Sequence, residues 1–85
     1  MKSEGGMKMA EAIEQIKTAI NASPRNDYTA ELHLQVIKYA DVFHNVTGKE
    51  FCKALGIGAA YGTEFSKMRK LAPRLKRAGL NPDRI

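Results

Sequence analysis

The sequence has a single cysteine, no tryptophan and no long apolar run. One cysteine excludes an intrachain disulfide and fits a reducing compartment. No apolar stretch approaches the roughly 18 residues that a membrane span requires, and the N-terminus lacks the apolar run of a signal peptide. These absences predict a cytoplasmic protein with no membrane partner.

Side chains suited to catalysis or metal binding are also sparse. His33, His44 and Cys52 are widely spaced and lack the close ligand pairs of structural zinc. No nucleophile motif surrounds Ser66. The segment "GIGAAYG", residues 56–62, follows a helical pattern rather than the strand that a dinucleotide-binding fingerprint needs. The sequence therefore predicts a protein that is not an enzyme and has no cofactor and no metal.

Positive charge is concentrated in the second half of the chain. Residues 1–46 hold five basic and six acidic residues, whereas residues 47–85 hold nine basic and three acidic ones, and the net charge is +5. Six basic residues and no acidic one lie between Lys67 and Arg77. Such a one-sided distribution favours a polyanionic partner, with a solvated helix face as the plainer alternative.

Apolar residues at helical spacing predict an all-α fold, a small bundle of four to five helices. We expect one domain at residues 9–80, a flexible N-terminal tail at 1–8 and a C-terminal tail at 81–85. The predicted helices cover residues 9–21 and 28–46, a short stretch that ends near Leu55, residues 60–71, and a short final segment. Pro73 would kink the fourth helix or open a new one, and Gly79 would cap the last.

Residues 28–46 carry two competing patterns. Their beginning alternates apolar and polar residues as a strand does, from Tyr28 to Val36. The whole length fits a helix better, because apolar residues recur every three or four positions as far as Val46. We interpret the segment as a helix.

The next segment has strong local signals at both ends. Thr47 and Glu50 form a capping box, in which each side chain can bond the backbone amide of the other. Gly56 can adopt the left-handed conformation that ends a helix. A short capped helix, a glycine turn and a second amphipathic helix make a helix-turn-helix at about residues 47–72.

The stretch "TGKEFCKALGIGAAYGTEFSKMRKL" resembles small, largely uncharacterised bacterial helix-turn-helix-like proteins. In that resemblance Phe51 and Leu55 face inward, and Cys52 is the small residue where the two helices touch. The helix at about residues 60–71 would be the recognition helix. The resemblance implies DNA binding and names no target sequence. Double-stranded DNA is the first candidate for the partner, and single-stranded nucleic acid is the alternative.

Placed on a helical wheel, residues 60–71 have an apolar side and an opposite polar side. Hydroxyl and ammonium groups can meet base edges in the major groove, which makes Thr63, Ser66 and Lys70 candidates for base contacts. Cations beside that face can bind phosphate. The candidates for phosphate contacts are Lys67, Arg69, Arg74 and Arg77, and Lys70 can serve either role.

Two functions remain open from the sequence. The first is a small DNA-binding protein, a transcriptional regulator whose N-terminal half is a candidate homodimer surface. The alternative is a helical protein–protein interaction adaptor that has a basic docking surface and binds no nucleic acid. The salt dependence of duplex binding would separate them, because counterion release makes DNA affinity fall steeply with salt.

Overall fold

The computed structural model describes residues 8–85. Its α-helices are α1 Met9–Ala22, α2 Tyr28–Lys38, α3 Gly48–Leu55 and α4 Tyr61–Arg77. Two short 3-10 turns, Arg25–Asp27 and Pro82–Arg84, precede α2 and follow α4. No strand occurs in this part of the chain, so the all-α prediction is confirmed and the competing strand pattern is wrong. Apart from Lys8, the tail predicted at residues 1–8 lies outside the described residues, and the domain limits stay a prediction.

α2 ends at Lys38, so the helix predicted across residues 28–46 is wrong in its second part. Residues 39–45 form successive turns, and the Val46 amide bonds the Phe43 carbonyl at 3.0 Å. Turns closed over three residues repeat side chains at a spacing close to that of an α-helix. The apolar spacing therefore continues past the end of the helix, and it still buries Phe43 completely.

Pro73 lies inside α4 without dividing it. The separate short helix expected after this proline is therefore wrong, and α4 extends past the predicted range of 60–71 to Arg77. Since proline has no amide hydrogen, the carbonyl of Arg69 loses its usual helical partner. The glycine signal beyond the helix is confirmed, because Gly79 has a φ of +113°.

Local chemistry sets both ends of α3 as the sequence predicted. The Thr47 hydroxyl accepts a hydrogen bond from the Glu50 amide at 3.1 Å, and the Thr47 amide donates to the Glu50 carboxylate at 2.9 Å. At the other end Gly56 has a φ of +78°, and the Ile57 amide bonds the Cys52 carbonyl at 3.0 Å. This 6→1 bond is part of a Schellman motif, which satisfies a carbonyl that the helix leaves open.

Three buried phenylalanines from three segments form the centre of the core. Phe51 of α3 and Phe65 of α4 stack with ring centroids 4.3 Å apart. Phe43, from the turns after α2, meets both rings edge-on, at 5.2 Å and 5.9 Å. α1 covers this cluster with four buried residues, Ala12, Ile13, Ile16 and Ile20. α3 and α4 therefore share one aromatic core, which holds the helix-turn-helix together.

A smaller apolar cluster connects α2, α4 and the end of the chain. Ile37 and Ala40 pack with Ala72, and Ile85 lies partly buried against them. The last residues thus return to the helical bundle, and the Pro82–Arg84 turn directs Ile85 towards α2.

Candidate nucleic-acid interface

Six exposed side chains form a stripe along α4. They recur every three or four residues, which places them on one face of the helix. The members of this outward stripe are Thr63, Ser66, Lys67, Lys70, Arg74 and Arg77. The structure thus brings six of the seven predicted site residues onto one exposed surface, and Arg69 is the exception.

The cations of the outward stripe are largely unpaired within the described part of the chain. Lys70, Arg74 and Arg77 make no ion pair there. The Lys67 ammonium lies 3.8 Å from the Glu64 carboxylate, one helical turn away. An exposed pair of that kind contributes only a few tenths of a kcal/mol. The stripe therefore presents four cations to a partner.

The sequence predicts Arg69 as a phosphate contact. In the structure its guanidinium is already bonded within the protein. Its Nη1 donates to the carbonyl of Phe43 at 2.7 Å and also to the carbonyl of Val46. The guanidinium lies over the ring of Phe65, 4.8 Å from the centroid, and the residue is only partly exposed. Together with Ser66 and Lys70 it lines a shallow surface depression of about 270 Å³. These bonds do not test the predicted phosphate contact of Arg69, which stays a prediction.

Lys76 is bound to the same region as Arg69. Its ammonium lies 2.8 Å from the carboxylate of Asp41, in the turns after α2. Arg69 and Lys76 are seven residues apart, so they share one side of α4. The six cations between Lys67 and Arg77 consequently divide into four that face outward and two that bond to residues 41–46.

Glu64 joins the first turn of α4 to α2. Its carboxylate lies 2.9 Å from Nε2 of His33, and both side chains are about one-third exposed, at 33% and 28%. The sequence pattern gave His33 no metal-ligand neighbour and indicated no partner for it. Its partner lies 31 positions away, and no local pattern could have shown it.

The backbones of α3 and α4 approach each other at two glycines. A Cβ atom added to Gly48 would lie 2.7 Å from the carbonyl oxygen of Gly62. The resemblance instead indicated Cys52, which is buried, as the small residue between the helices. Two glycines at helical positions were the available signal, because glycine costs a helix about 1 kcal/mol relative to alanine and can have a packing reason there. This contact places the start of α3 beside the first turn of α4.

Two properties of residues 8–85 bear on the type of site. No helix there is both long enough and apolar enough to cross a bilayer. Within the same residues, no three histidine, cysteine or acidic side chains are grouped so that they could hold a metal ion. Burial raises the pKa of the Cys52 thiol, which keeps this side chain in its neutral form within the core.

Comparison with known proteins identifies the fold class. The family model described as an HTH-like domain matches residues 8–78, which is most of the chain. The protein therefore belongs to the HTH-like domain family and is a small helix-turn-helix-like protein. No curated protein and no solved structure matches the chain. The helix-turn-helix is a fold often used to bind DNA.

Proposed function

We propose that this protein binds double-stranded DNA and places α4 in the major groove. The outward stripe carries the proposal, because it combines hydroxyl groups and four cations on one exposed helix face. An α-helix fits the width of the major groove, and cations beside it can neutralise phosphates. The HTH-like fold supports the same function, since it holds a second helix against a first and leaves one face open.

Each member of the outward stripe has a proposed role. Thr63 and Ser66, nearest the start of α4, would contact base edges. Lys67, Arg74 and Arg77 would bind phosphates, and Lys70 could do either. Phosphate contacts set the position of the protein on the duplex, while base contacts give sequence preference.

The proposed biological role is regulation of transcription in the bacterial cytoplasm. A homodimer would present two copies of α4 to successive major grooves, as dimeric helix-turn-helix proteins do. Sedimentation with and without duplex measures the number of chains for each DNA molecule. A complex of one chain with one duplex would remove the homodimer from the proposal.

A salt titration of duplex binding tests the proposal. The affinity of the full chain for a random-sequence duplex is measured at several salt concentrations. Contacts with four phosphates would give a log–log slope of roughly −3.6, by the relation of about −0.9 per phosphate. Absence of duplex binding at about 50 mM salt, where electrostatic contacts are strong, would show that the proposal is wrong.

A protein-interaction adaptor is the second candidate, and exposed leucines favour it. Leu71 and Leu75 lie on α4 itself and are 48% and 37% exposed, and Leu34 of α2 is 45% exposed. Contiguous exposed apolar side chains mark protein-binding surfaces, and Leu71 and Leu75 are neighbours on α4 because they are four residues apart. If this protein bound polyglutamate as tightly as it bound a DNA duplex of similar charge, the adaptor would be the better account.

A further inference from the structure

Arg69 connects α4 to the segment that leads into α3. Both of its carbonyl partners, those of Phe43 and Val46, belong to the connection between α2 and α3. Val46 directly precedes Thr47, the N-cap of α3. A single side chain on the helix of the outward stripe therefore bonds the start of the other helix of the motif.

The geometry of this contact suits an arginine better than a lysine. Two donor hydrogens on Nη1 bond two carbonyls, while the guanidinium carbon lies over the Phe65 ring. A lysine ammonium also has donor hydrogens on one nitrogen, but that nitrogen lies one bond closer to the backbone than Nη1, and the compact, strongly hydrated charge has no plane to cover the ring. Replacement by lysine would keep the charge and weaken the attachment.

Several contacts set the orientation of α4. The close contact of Gly48 with Gly62 fixes the first turn of α4 against α3. Two turns further along, the Arg69 hydrogen bonds act together with the buried Phe65 ring and the Lys76–Asp41 pair to set the rotation of α4 about its own axis. A rotation of α4 would turn Ser66 and Lys70 away from a partner, because both lie on one face of the helix.

We propose that Arg69 is a positioning residue for DNA recognition, one that sets the orientation of the outward stripe and does not itself bind phosphate. The inference rests on the proposed function. It assigns different roles to neighbouring cations of α4, because Lys70 faces the partner while Arg69 holds the helix that presents it.

Charge-conserving substitutions of two arginines test this assignment, one at Arg69 and one at Arg84, which is exposed and lies off the outward stripe. Duplex affinity of Arg69→Lys and Arg84→Lys is measured against salt, at a temperature where circular dichroism shows both variants folded. We expect Arg69→Lys to lose roughly 10-fold in affinity at every salt concentration, the size of one lost base contact, with an unchanged slope. Arg84→Lys should bind as the wild type does. Wild-type affinity in folded Arg69→Lys would overturn the inference, because a merely structural role affects stability alone.

A measurement on the wild type keeps the test independent of whether the variant folds. The guanidinium NMR signals of Arg69 should exchange slowly with water in the free protein and should keep their positions when duplex is added. Those of Arg74 and Arg77 should move. A large shift of the Arg69 signals would overturn the inference alone and make Arg69 a phosphate contact. Absence of any duplex binding would overturn the proposed function, and this inference with it.

Discussion

The carbonyl oxygen of Gly62 lies so close to Gly48 that a Cβ atom added there would sit 2.7 Å away from it. The space around Gly62 is larger than the space around Gly48. A Cβ atom added to Gly62 would lie 3.4 Å or more from the nearest atoms of Gly48, which is close to ordinary van der Waals contact. Two glycines at one crossing of two helices are therefore not equivalent, and only the glycine of α3 is required by the space available.

This asymmetry predicts opposite effects of alanine at the two positions. Gly48→Ala should destabilise the protein by about 1–3 kcal/mol, because the methyl group meets backbone that cannot move independently. Gly62→Ala should be neutral or stabilising by up to about 1 kcal/mol, because alanine is the better helix former. Urea denaturation measures both, and Gly58→Ala is the control because nothing lies within 4 Å of its added carbon. Equal stability of Gly48→Ala and Gly62→Ala would show that the helices separate without cost.

Phe65→Ala should destabilise the domain by about 3–5 kcal/mol, in the range for large aromatic truncations in a core. The ring is 1% exposed, stacks on Phe51 and lies under the guanidinium of Arg69. Thermal and urea denaturation check the prediction. Leu71→Ala is the control on the same helix, because that side chain is 48% exposed and should cost much less. A Phe65→Ala variant that melts like the wild type would contradict the core described above.

Glu50→Gln should remove a pH-dependent contribution to stability. The hydrogen bonds from Thr47, first that of its backbone amide, lower the pKa of Glu50 below its ordinary value of about 4.5. A carboxylate with a lowered pKa in the folded state stabilises fully above the unfolded pKa, and the contribution disappears as pH falls through the folded value. The stability difference between wild type and variant should therefore be constant above about pH 6 and shrink as the solution is acidified below 4.5.

Urea denaturation between neutral and acidic pH measures that difference. Glu14→Gln is the matched control, because this exposed carboxylate pairs with Lys17 and accepts no backbone hydrogen bond within residues 8–85. If the stability difference between the wild type and Glu50→Gln grew on acidification, the result would contradict the capping geometry.

Local chemistry explains which parts of the fold were predictable. Thr47 and Glu50 are three residues apart, and Gly56 acts through its own φ angle, so both ends of α3 follow from short patterns. The end of α2 does not follow from a short pattern, because a helix and a series of three-residue turns place apolar side chains at nearly the same spacing. Pro73 was a strong local signal that the packing of α4 overrode.

The candidate site divides in the same way. Thr63, Ser66 and Lys70 were predicted on the polar side of one helix, with Lys67 beside them, because they follow a single period. Arg74 and Arg77 join this stripe only because α4 continues past Pro73. The roles of Arg69 and Lys76 were not predicted, since their partners lie 23 to 35 positions earlier in the chain. A run of six cations looks uniform in sequence, and only tertiary contacts show which of them are already bonded.

Ser66→Ala should change sequence preference more than salt dependence, if its hydroxyl contacts a base. The hydroxyl is exposed, and no charge is lost with it. Selection of bound duplexes from a random pool compares the preferred sequences of variant and wild type, while a salt titration compares the slopes. The same sequence preference with a uniformly weaker affinity would assign Ser66 to the phosphate backbone instead.

Replacing Lys67 and Lys70 together with alanine should weaken duplex binding with little effect on folding. Both side chains are exposed, and the one pair that Lys67 makes, with Glu64, is worth only a few tenths of a kcal/mol. If both contact phosphates, the log-affinity against log-salt slope should decrease in magnitude by up to about two. Affinity is measured at several salt concentrations for both proteins, and circular dichroism confirms that the variant is folded.

The matched control is a second double variant, Lys17→Ala with Lys38→Ala, which removes the same charge from α1 and α2. If the effect were one of net charge alone, the two double variants would lose equal affinity and equal slope. If α4 is the DNA-binding helix, the control should keep most of the wild-type slope because its two positions lie off the outward stripe. Wild-type slope and affinity in the Lys67 and Lys70 double variant would remove α4 from the DNA surface and leave the adaptor as the better account of the basic face.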